Sequence, residues 1–301
     1  MKRRERNRPS RETQARVLGL WGLVAAVCLM ALWLGQTLCR AGDVLEAERT
    51  AVPNDSFAQD FAAAKKAAGY YAGGPKDEEP GAEAAAQALK VVCLTFDDGP
   101  SNHTPEILQV LAKYEVPATF FVTAQDANLS YMSYIKDIDE AGHQIALHSA
   151  SHNYSDIYRS PEAFWMDLKS LRQQLAPYTD VEAIHWLRFP GGSSNTVSHR
   201  YGGRDIMKTL VREAEEKGYH WIDWNISAED ATAKHPDAAQ IFRNVQKDTK
   251  VKGEDICVVL MHDTKATGQT VKALPDIIEW YSAEGYHFCT VADMEQMKTG
   301  D

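Results

Sequence analysis

Apolar and polar positions alternate in blocks along the second two thirds of the chain, and the blocks predict strands and helices in succession. Uncharged runs rich in β-branched and aromatic residues, such as 91–96 and 118–122, suit strands that are buried on both faces. Between such runs, apolar residues recur at helical spacing, as they do across residues 105–114. The predicted strands cover residues 91–96, 118–122, 144–147, 184–189, 219–224, 255–260 and 287–291, and the predicted helices cover residues 105–114, 131–141, 161–175, 205–217, 237–249 and 271–284.

This order of elements indicates an α/β fold. Strands that alternate strictly with helices are parallel and joined by helical crossovers, and about seven such units favour a (β/α) barrel over an open nucleotide-binding sheet. No glycine-rich phosphate loop follows any predicted strand, which also disfavours a nucleotide enzyme. Two helix starts carry capping signals, because Thr104 and Ser160 are each followed by proline.

The N-terminal region differs in composition from the rest and predicts a membrane anchor. Residues 1–16 carry seven Lys or Arg and two Glu, and residues 17–38 form a run of 22 residues without a charge. That run is long enough to span a bilayer as a helix and longer than the apolar region of a secretory signal. Because the basic flank stays in the cytoplasm, everything after the run is expected outside it. Cleavage after Ala41, which would give a secreted protein, is the alternative.

The predicted organisation therefore has four parts, and the last of them is expected to be the catalytic domain. The part after the anchor is rich in Ala, Glu, Gly and Pro and suits a mobile stalk. The parts are a basic cytoplasmic segment (1–16), a transmembrane anchor (17–39), a linker or stalk (40–88) and the catalytic domain (89–301).

The charge balance argues against nucleic acid as the partner. The formal net charge is -10 at pH 7, and because the first sixteen residues carry +5, the remainder carries -15. Phosphate binding needs a basic surface, which this composition does not offer. The five cysteines have no CxxC spacing, and Cys93, Cys257 and Cys289 lie in apolar runs as small buried residues would.

Two adjacent carboxylates end the first predicted strand. Asp97 and Asp98 are followed by Gly99 and Pro100, a dipeptide that turns the chain. The four residues could form only a turn, since Asp and Gly dominate turns. In an α/β fold, however, ligands bind at the carboxyl ends of the strands, where both side chains would lie.

His148 and His152 follow another apolar run and are the residue type that binds transition metals. Two imidazoles four residues apart converge on one ion if the backbone makes a helical turn, although such a pair is often incidental. With a strand-end Asp they provide two nitrogens and one oxygen and leave positions open for water, as a catalytic zinc requires. One Asp would then bind the metal, and the other would remain free as a base.

Two further strand ends carry candidate groups. Arg188 is either a surface residue or a cation that fixes an Asp carboxylate and keeps it ionised, and the glycines after it would bring backbone N–H groups close to a substrate oxygen. His262 is either a structural histidine or a general acid. As an acid it needs a carboxylate to hold its ring, which Asp230 or Asp223 could supply.

Together these stretches resemble the polysaccharide deacetylase family, carbohydrate esterase family 4, whose shared unit is the NodB homology domain, and within it the peptidoglycan N-acetylglucosamine deacetylases. The resemblance covers roughly residues 88–296. The matching motifs are Thr95-Phe96-Asp97-Asp98-Gly99-Pro100, His148-Ser149-x-x-His152 and Leu260-x-His262.

The resemblance implies a distorted (β/α) barrel and a role for each motif residue. Asp97 would be the general base and His262 the general acid. Asp98, His148 and His152 would bind one divalent metal ion, with zinc expected. The other expected site residues are Arg188, which would orient Asp97, Asp230, which would tune the acid, and Pro190, Gly191, Trp224 and Leu260, which would line the substrate pocket.

The chain departs from the family's pattern at two places. An aromatic residue usually follows the Arg-x-Pro of the third motif, whereas this chain has Gly191, so the backbone N–H is kept and the aromatic wall is lost. The fourth motif usually ends in Asp-Trp, whereas Asp230 is followed by Ala231. These departures bear on substrate preference more than on the chemistry.

The sequence therefore predicts a membrane-anchored, metal-dependent enzyme that removes acetyl groups from N-acetylated sugars of a cell-wall polysaccharide, with peptidoglycan as the expected substrate. A chitin-like or O-acetylated polysaccharide is an alternative substrate. A carbohydrate-binding or regulatory module without turnover is an alternative class, but such a module would be expected to lack the base or the acid. The expected partners are the polysaccharide and, through the N-terminal helix, the membrane; no nucleic acid and no protein partner is implied.

Overall fold

A parallel sheet covered by helices forms the part of the chain that the computed structural model describes, residues 90–299. The strands are β1 (Lys90–Asp97), β2 (Thr119–Thr123), β3 (Gln144–Ser149), β4 (Trp186–Leu187), β5 (His220–Trp221), β6 (Ile226–Ser227), β7 (Ile256–His262) and β8 (Tyr286–Phe288). The helices are α1 (Thr104–Tyr114), α2 (Tyr134–Glu140), α3 (Tyr154–Ile157), α4 (Pro161–Leu175), α5 (His199–Gly202), α6 (Ile206–Glu216), α7 (Ala238–Lys252), α8 (Gly268–Ala283) and α9 (Val291–Thr299), with 3₁₀ turns at Leu129–Tyr131 and Val181–Ala183.

The strand order makes the sheet a curled half-barrel. The order is β5-β4-β3-β2-β1-β7-β6, and all the pairings are parallel. β1 lies at the centre, because β7 pairs along one edge while β2 and β8 share the other. Since β5 and β6 are the two ends of this order, hydrogen bonds do not close the barrel within residues 90–299. The parallel α/β fold predicted from the sequence is confirmed, as a half-barrel that stays open between β5 and β6.

Successive side chains of each strand face opposite sides of the sheet, and this divides the core into two clusters. On β1, Leu94 and Phe96 pack in the larger cluster under the helices, whereas Val91 and Cys93 pack inside the curl. Asp97 lies four residues beyond Cys93 and therefore belongs to the interior face. The buried interior cluster comprises Val91, Cys93, Phe121, Ala146, Ile222, Trp224, Ile256, Val258, Leu260, Cys289, Val291 and Met294.

Helix α9 covers the end of the curl where the strands begin. The N–H of Val291 donates to Oγ1 of Thr119 at 3.0 Å, and the N–H of Ala292 donates to Oε1 of Gln144 at 2.9 Å. Thr119 and Gln144 are the first residues of β2 and β3. Met294 then enters the interior cluster and is fully buried. This end of the half-barrel is thus sealed, and the carboxyl end of the strands is left for a site.

The predicted elements differ from the observed ones mainly at their ends. Helix α4 begins after its N-cap Ser160, whose hydroxyl accepts the N–H of Ala163 at 3.2 Å, as the sequence predicts. Thr104 is not an N-cap, because His103 holds that position and the Thr104 hydroxyl donates to Asp263. Within the strand predicted at 219–224, only β5 forms a strand. The elements β6 and α9 were not predicted.

The predicted anchor at 17–39 and linker at 40–88 lie outside the described residues, so both remain predictions. Among residues 90–299, no helix combines the length and the apolar character needed to cross a bilayer.

Candidate active site

The carboxyl end of the half-barrel gathers side chains from four strand ends. Asp97 and His262 end β1 and β7 and are register partners, His148 lies in β3, and Arg188 directly follows β4. All four side chains are buried. They share the interior face because each occupies an interior-facing position of its strand.

Three of the predicted residues form a group that could hold a metal ion. One ligand atom from each of Asp98, His148 and His152 lies within 4.8 Å of the other two. Oδ1 of Asp98 is 3.4 Å from Nε2 of His152 and 3.8 Å from Nε2 of His148. Among the described residues, this buried oxygen has no hydrogen-bond donor, which is costly unless a cation takes that place. The donor set fits a divalent ion such as zinc.

The ring of His148 is held in the tautomer that metal binding requires. Its Nδ1–H donates to the main-chain oxygen of Arg188 at 2.7 Å, so Nε2 carries the free lone pair. Burial, with His152 adding to it, lowers the pKa of His148 to about 3. The imidazole is therefore neutral, as a metal ligand must be, over the physiological pH range.

A bent loop, and not a helical turn, brings His152 back to His148. His152 has a left-handed backbone with φ 49°, and its N–H donates to Oγ of Ser149 at 2.8 Å. The two rings lie 5.0 Å apart between their centres. The spacing of the histidines was therefore the useful signal, and the two rings converge without the helical turn that was given as the condition.

Asp98 also has a left-handed backbone, at φ 70°, and Asn128 holds it there. The buried amide nitrogen of Asn128 donates to the main-chain oxygens of Asp98 and Pro100, both at 2.8 Å. The Asp98 N–H donates to the oxygen of Phe121 at 3.1 Å. Although burial opposes ionisation, the nearby imidazoles, His152 above all, hold the pKa of Asp98 below its usual value.

Arg188 is fully buried inside the curl and contacts Asp97 directly. Nη1 donates to Oδ1 of Asp97 at 2.8 Å and to Oγ1 of Thr95 at 2.8 Å. Nε and Nη2 donate to the main-chain oxygens of Ile222 and Asp223 at 3.2 and 3.1 Å. The guanidinium therefore orients the Asp97 carboxylate rather than lying at the surface.

Burial raises the pKa of Asp97 above its ordinary value, although Arg188 and His262 oppose that shift. The expectation that Arg188 keeps this carboxylate ionised therefore describes only one of the two opposing effects. Oδ2 of Asp97 lies 3.8 Å from Nε2 of His148 and so adjoins the metal-binding group without being part of it.

The carboxylate beside His262 is Asp230, and Asp223 has a different partner. Nδ1 of His262 lies 2.8 Å from Oδ1 of Asp230, and the His262 N–H donates to Oδ2 at 2.9 Å. The Thr270 hydroxyl donates to the same Oδ2 at 2.7 Å. Asp223 instead accepts from the N–H and hydroxyl of Ser193, at 2.9 and 2.6 Å. Of the two predicted partners, the geometry selects Asp230.

The remaining predicted residues lie around this group. Pro190 and Gly191 are buried in the loop after Arg188, where the Tyr158 hydroxyl donates to the Pro190 oxygen at 2.6 Å. Gly191 has φ 76°, which disfavours a side chain, and within residues 90–299 its N–H has no main-chain acceptor. Trp224 and Leu260 pack together in the interior cluster below the site.

Comparison with known proteins decides the family. The family model described as polysaccharide deacetylase matches residues 85–222. A peptidoglycan-N-acetylglucosamine deacetylase of Bacillus cereus is 30% identical over 203 residues, which cover 66% of this chain and 68% of that one. The crystal structure of the catalytic domain of peptidoglycan N-acetylglucosamine deacetylase from Eubacterium rectale is 38% identical with a TM-score of 0.62, covering 70% of this chain and 95% of that one. The chain belongs to the polysaccharide deacetylase family.

As a polysaccharide deacetylase, this chain is a hydrolase that acts on amide bonds, and the family is generally metal-dependent. It is also similar to a Streptococcus mutans CE4 esterase, with 30% identity, a TM-score of 0.56 and coverage of 67% of this chain and 86% of that one. The family resemblance stated from the motifs is confirmed. The individual residue roles remain predictions that the geometry described above is able to support.

Two buried residues of this deacetylase site were not predicted from the sequence. The Asp263 carboxylate accepts from the hydroxyls of Ser101 and Thr104 at 2.5 and 2.6 Å. The main-chain N–H of Asp263 donates to the main-chain oxygen of Asp97 at 2.8 Å. A Cβ on Gly99 would lie 2.6 Å from Oδ2 of Asp263, which explains the glycine there. The position of Asp263 directly after His262 is the sequence signal that could have identified it. Asn128 lies in a loop with no motif, so the sequence offered no signal for it.

Proposed function

We propose that the chain hydrolyses the acetamide of N-acetylated sugars in peptidoglycan, releasing acetate, with zinc as its metal. One observation carries this proposal. A buried carboxylate, Asp97, adjoins a group of three metal-binding side chains without belonging to it, and it faces the imidazole of His262 in the neighbouring strand. A base, a cation site and an acid next to one another are the parts that amide hydrolysis requires.

The residues that would hold the ion are Asp98, His148 and His152. The buried oxygen of Asp98, which lacks a donor in the described part of the chain, and the fixed tautomer of His148 both support this assignment. A bound divalent cation would polarise the acyl oxygen and lower the pKa of water.

Asp97 is proposed as the general base that takes a proton from the attacking water. Arg188 occupies Oδ1 of Asp97, which leaves Oδ2 on the side of His148 for that proton. Burial raises the pKa of Asp97 and so makes the carboxylate a better proton acceptor than an exposed Asp. The N–H of Gly191 is proposed to donate to the oxyanion that develops on the acyl oxygen.

His262 is proposed as the general acid that protonates the leaving nitrogen. Its Nδ1 faces Asp230, so Nε2 is the nitrogen directed to substrate. The carboxylate of Asp230 stabilises the imidazolium form, which holds the proton that the amine receives. Trp224 and Leu260 are proposed to contact the acetyl methyl, since both belong to the apolar cluster beneath the site.

Peptidoglycan is proposed as the substrate because two similar proteins are named as deacetylases of its N-acetylglucosamine. The same proposal places the catalytic domain outside the cytoplasm, attached to the membrane by residues 17–39 through a stalk at 40–88. The uncharged run of 22 residues behind a basic flank supports that arrangement.

Acetate release by the full-length chain tests the proposal. The purified protein, supplied with zinc, is assayed on peptidoglycan, on chitin oligomers and on acetylated xylan. We expect peptidoglycan to give the highest rate. Release from xylan alone would replace the N-acetyl substrate with an O-acetyl ester. Metal binding without acetate release from any of the three would favour a binding module.

A further inference from the structure

We propose that Asp167 is a positioning residue that sets the affinity of the histidine loop, residues 148–152, for metal. Asp167 is not among the three ligands and lies on helix α4. The proposal rests on the metal-binding role proposed above and adds to it the residue that builds the binding geometry.

Three hydrogen bonds join the Asp167 carboxylate to the histidine loop. Oδ2 accepts the Ser149 hydroxyl at 2.7 Å and the N–H of Ala150 at 2.8 Å, and Oδ1 accepts the N–H of Ser151 at 2.9 Å. The carboxylate thus bonds all three residues between His148 and His152. Hydrogen bonds to an ionised acceptor are stronger than neutral ones, so this attachment dominates the loop.

The bond to Ser149 also decides where the second histidine lies. Because the Ser149 hydroxyl donates its proton to Asp167, a lone pair of its oxygen is directed to the N–H of His152, which donates to it at 2.8 Å. That N–H belongs to a residue with φ 49°, a conformation that non-glycine residues rarely adopt without support. Asp167 therefore acts on His152 through Ser149.

The arrangement requires an acceptor at both oxygens. An amide in place of the carboxylate would direct an NH₂ group at a backbone N–H or at the hydroxyl, and at least one of the three bonds would be lost. The carboxylate is held in place by its helix, since Phe164 and Leu168 on either side of it in α4 are buried in the core. A rigid support of this kind is what makes a ligand loop geometrically defined.

Metal binding by the full-length chain, measured without substrate, tests the proposal. The protein is freed of metal with a chelator and titrated with Co²⁺, whose visible spectrum reports the ligand geometry. We expect Asp167→Ala to weaken Co²⁺ binding by about 10- to 100-fold and to change the spectrum, as is usual when a residue that orients ligands is removed. Asp167→Asn is expected to weaken binding less, because one acceptor oxygen remains.

A matched control removes the same charge elsewhere. Glu216 is exposed on the neighbouring helix α6 and pairs with Arg212 of the same helix, so Glu216→Gln is expected to bind Co²⁺ as the wild type does. Ser149→Ala tests the route of the effect. Relative to the wild type, the double variant Asp167→Ala with Ser149→Ala is expected to lose much less Co²⁺ affinity than the sum of the two single losses.

The possible outcomes separate this proposal from the proposed function. Wild-type affinity and spectrum in a folded Asp167→Ala variant would overturn the positioning role and leave the deacetylase mechanism intact. If Asp167→Ala does not fold, the isosteric Asp167→Asn variant decides in the same way. A wild-type chain that binds no Co²⁺ would overturn both, whereas a different substrate would leave this result unchanged.

Discussion

Asp97 and Asp98 are neighbours in the chain, yet their surroundings shift the pKa values of the two carboxyl groups in opposite directions. Asp97 accepts a bond from Arg188, and burial raises its pKa. Asp98 has a buried oxygen without a donor among residues 90–299, and the nearby imidazoles lower the pKa of its carboxyl group. The first environment suits a group that takes a proton, and the second suits one that stays ionised beside a cation.

The variant Asp97→Asn tests this division. Asparagine can still accept the Arg188 bond but cannot take a proton, so acetate release should fall by about 10²- to 10⁴-fold while metal content is unchanged. Asp98→Asn is the matched comparison, because it should lose metal and activity together. Acetate release by Asp97→Asn at the wild-type rate would reject the role of base.

The depressed pKa of His148 predicts how the stability of the metal-free protein depends on pH. The folded value of about 3 lies below the ordinary 6.5, so below pH 6.5 the unfolded chain binds a proton that the folded chain does not. The contribution is present above that pH and is lost as the pH falls towards 3, at up to about 1.4 kcal/mol per pH unit.

Urea unfolding of the chelator-treated full-length chain at several pH values between these limits measures this effect. His148→Gln removes the titrating group, so its unfolding free energy should decline less steeply with falling pH than that of the wild type. Identical slopes for the two proteins would show that the site does not keep His148 neutral.

At this scale the sequence predicted residue types at strand ends better than it predicted their partners. Asp97, Asp98, His148 and His262 could be found because each follows an apolar run at the carboxyl end of a strand. The choice between Asp230 and Asp223 depends on how one loop folds back on β7, and no periodic pattern carries that information. Asp167 was missed for the same reason, since it looks like an ordinary polar position of an amphipathic helix.

Among the elements, β1, β4 and the segment after β5 are connected through a single side chain. Arg188 follows β4 and donates to Thr95 and Asp97 of β1 and to the main chain of Ile222 and Asp223. Its guanidinium also lies 4.0 Å from the ring centre of Phe121 in β2. A buried cation with these partners links β4 and the segment after β5 to β1, although β4 and β5 have only two residues each.

Arg188→Met should therefore destabilise the fold as well as the site. The substitution leaves Asp97 buried without its partner, which typically costs about 3–5 kcal/mol. Arg212→Met is the control, because the exposed pair of Arg212 with Glu216 should contribute less than about 1 kcal/mol. Unfolding free energies of the two variants, compared with the wild type, decide the matter.

Coupling to Asp97 provides a second check of the same interaction. Adding Asp97→Asn to Arg188→Met removes the unpaired charge and should restore part of the lost stability. Strict additivity of the two substitutions would mean that the pair is not the source of the effect.

The long strands were predicted close to their observed bounds, whereas β4 and β5 were predicted too long and β6 was missed, for a physical reason. The strands at β1 and β7 have seven or more residues and show continuous apolar runs. β4, β5 and β6 have two residues each, too few for any period to be visible. Helix α9 was missed because only Val291, Met294 and the partly buried Met297 pack against the interior, so the helix lacks a broad apolar stripe.

Across the whole described domain, one end of the half-barrel carries the candidate site and the other end is filled by apolar packing. The carboxyl end of the strands carries the acids, imidazoles and Arg188, whereas α9 and the interior cluster fill the amino end. In (β/α) barrels generally, chemistry belongs to the first end and stability to the second.

Met294→Ala tests this separation. Met294 is fully buried, so its truncation should lower the unfolding free energy by about 2–5 kcal/mol, while the metal affinity of the folded protein is unchanged. Met166→Ala is the matched control, because Met166 is 69% exposed and its truncation should have little effect. A large loss of metal affinity in folded Met294→Ala would show that the two ends are coupled.

The alternation of side chains along β1 restricts where this chain can gain or lose a residue. A one-residue insertion between Val91 and Phe96 would turn every later side chain of β1 to the other face of the sheet. Asp97 would then point under the helices and Phe96 into the interior of the curl. Loops between the elements can lengthen at little cost. Homologous or engineered versions of this protein should therefore vary in loop length while β1, β3 and β7 keep a fixed residue count.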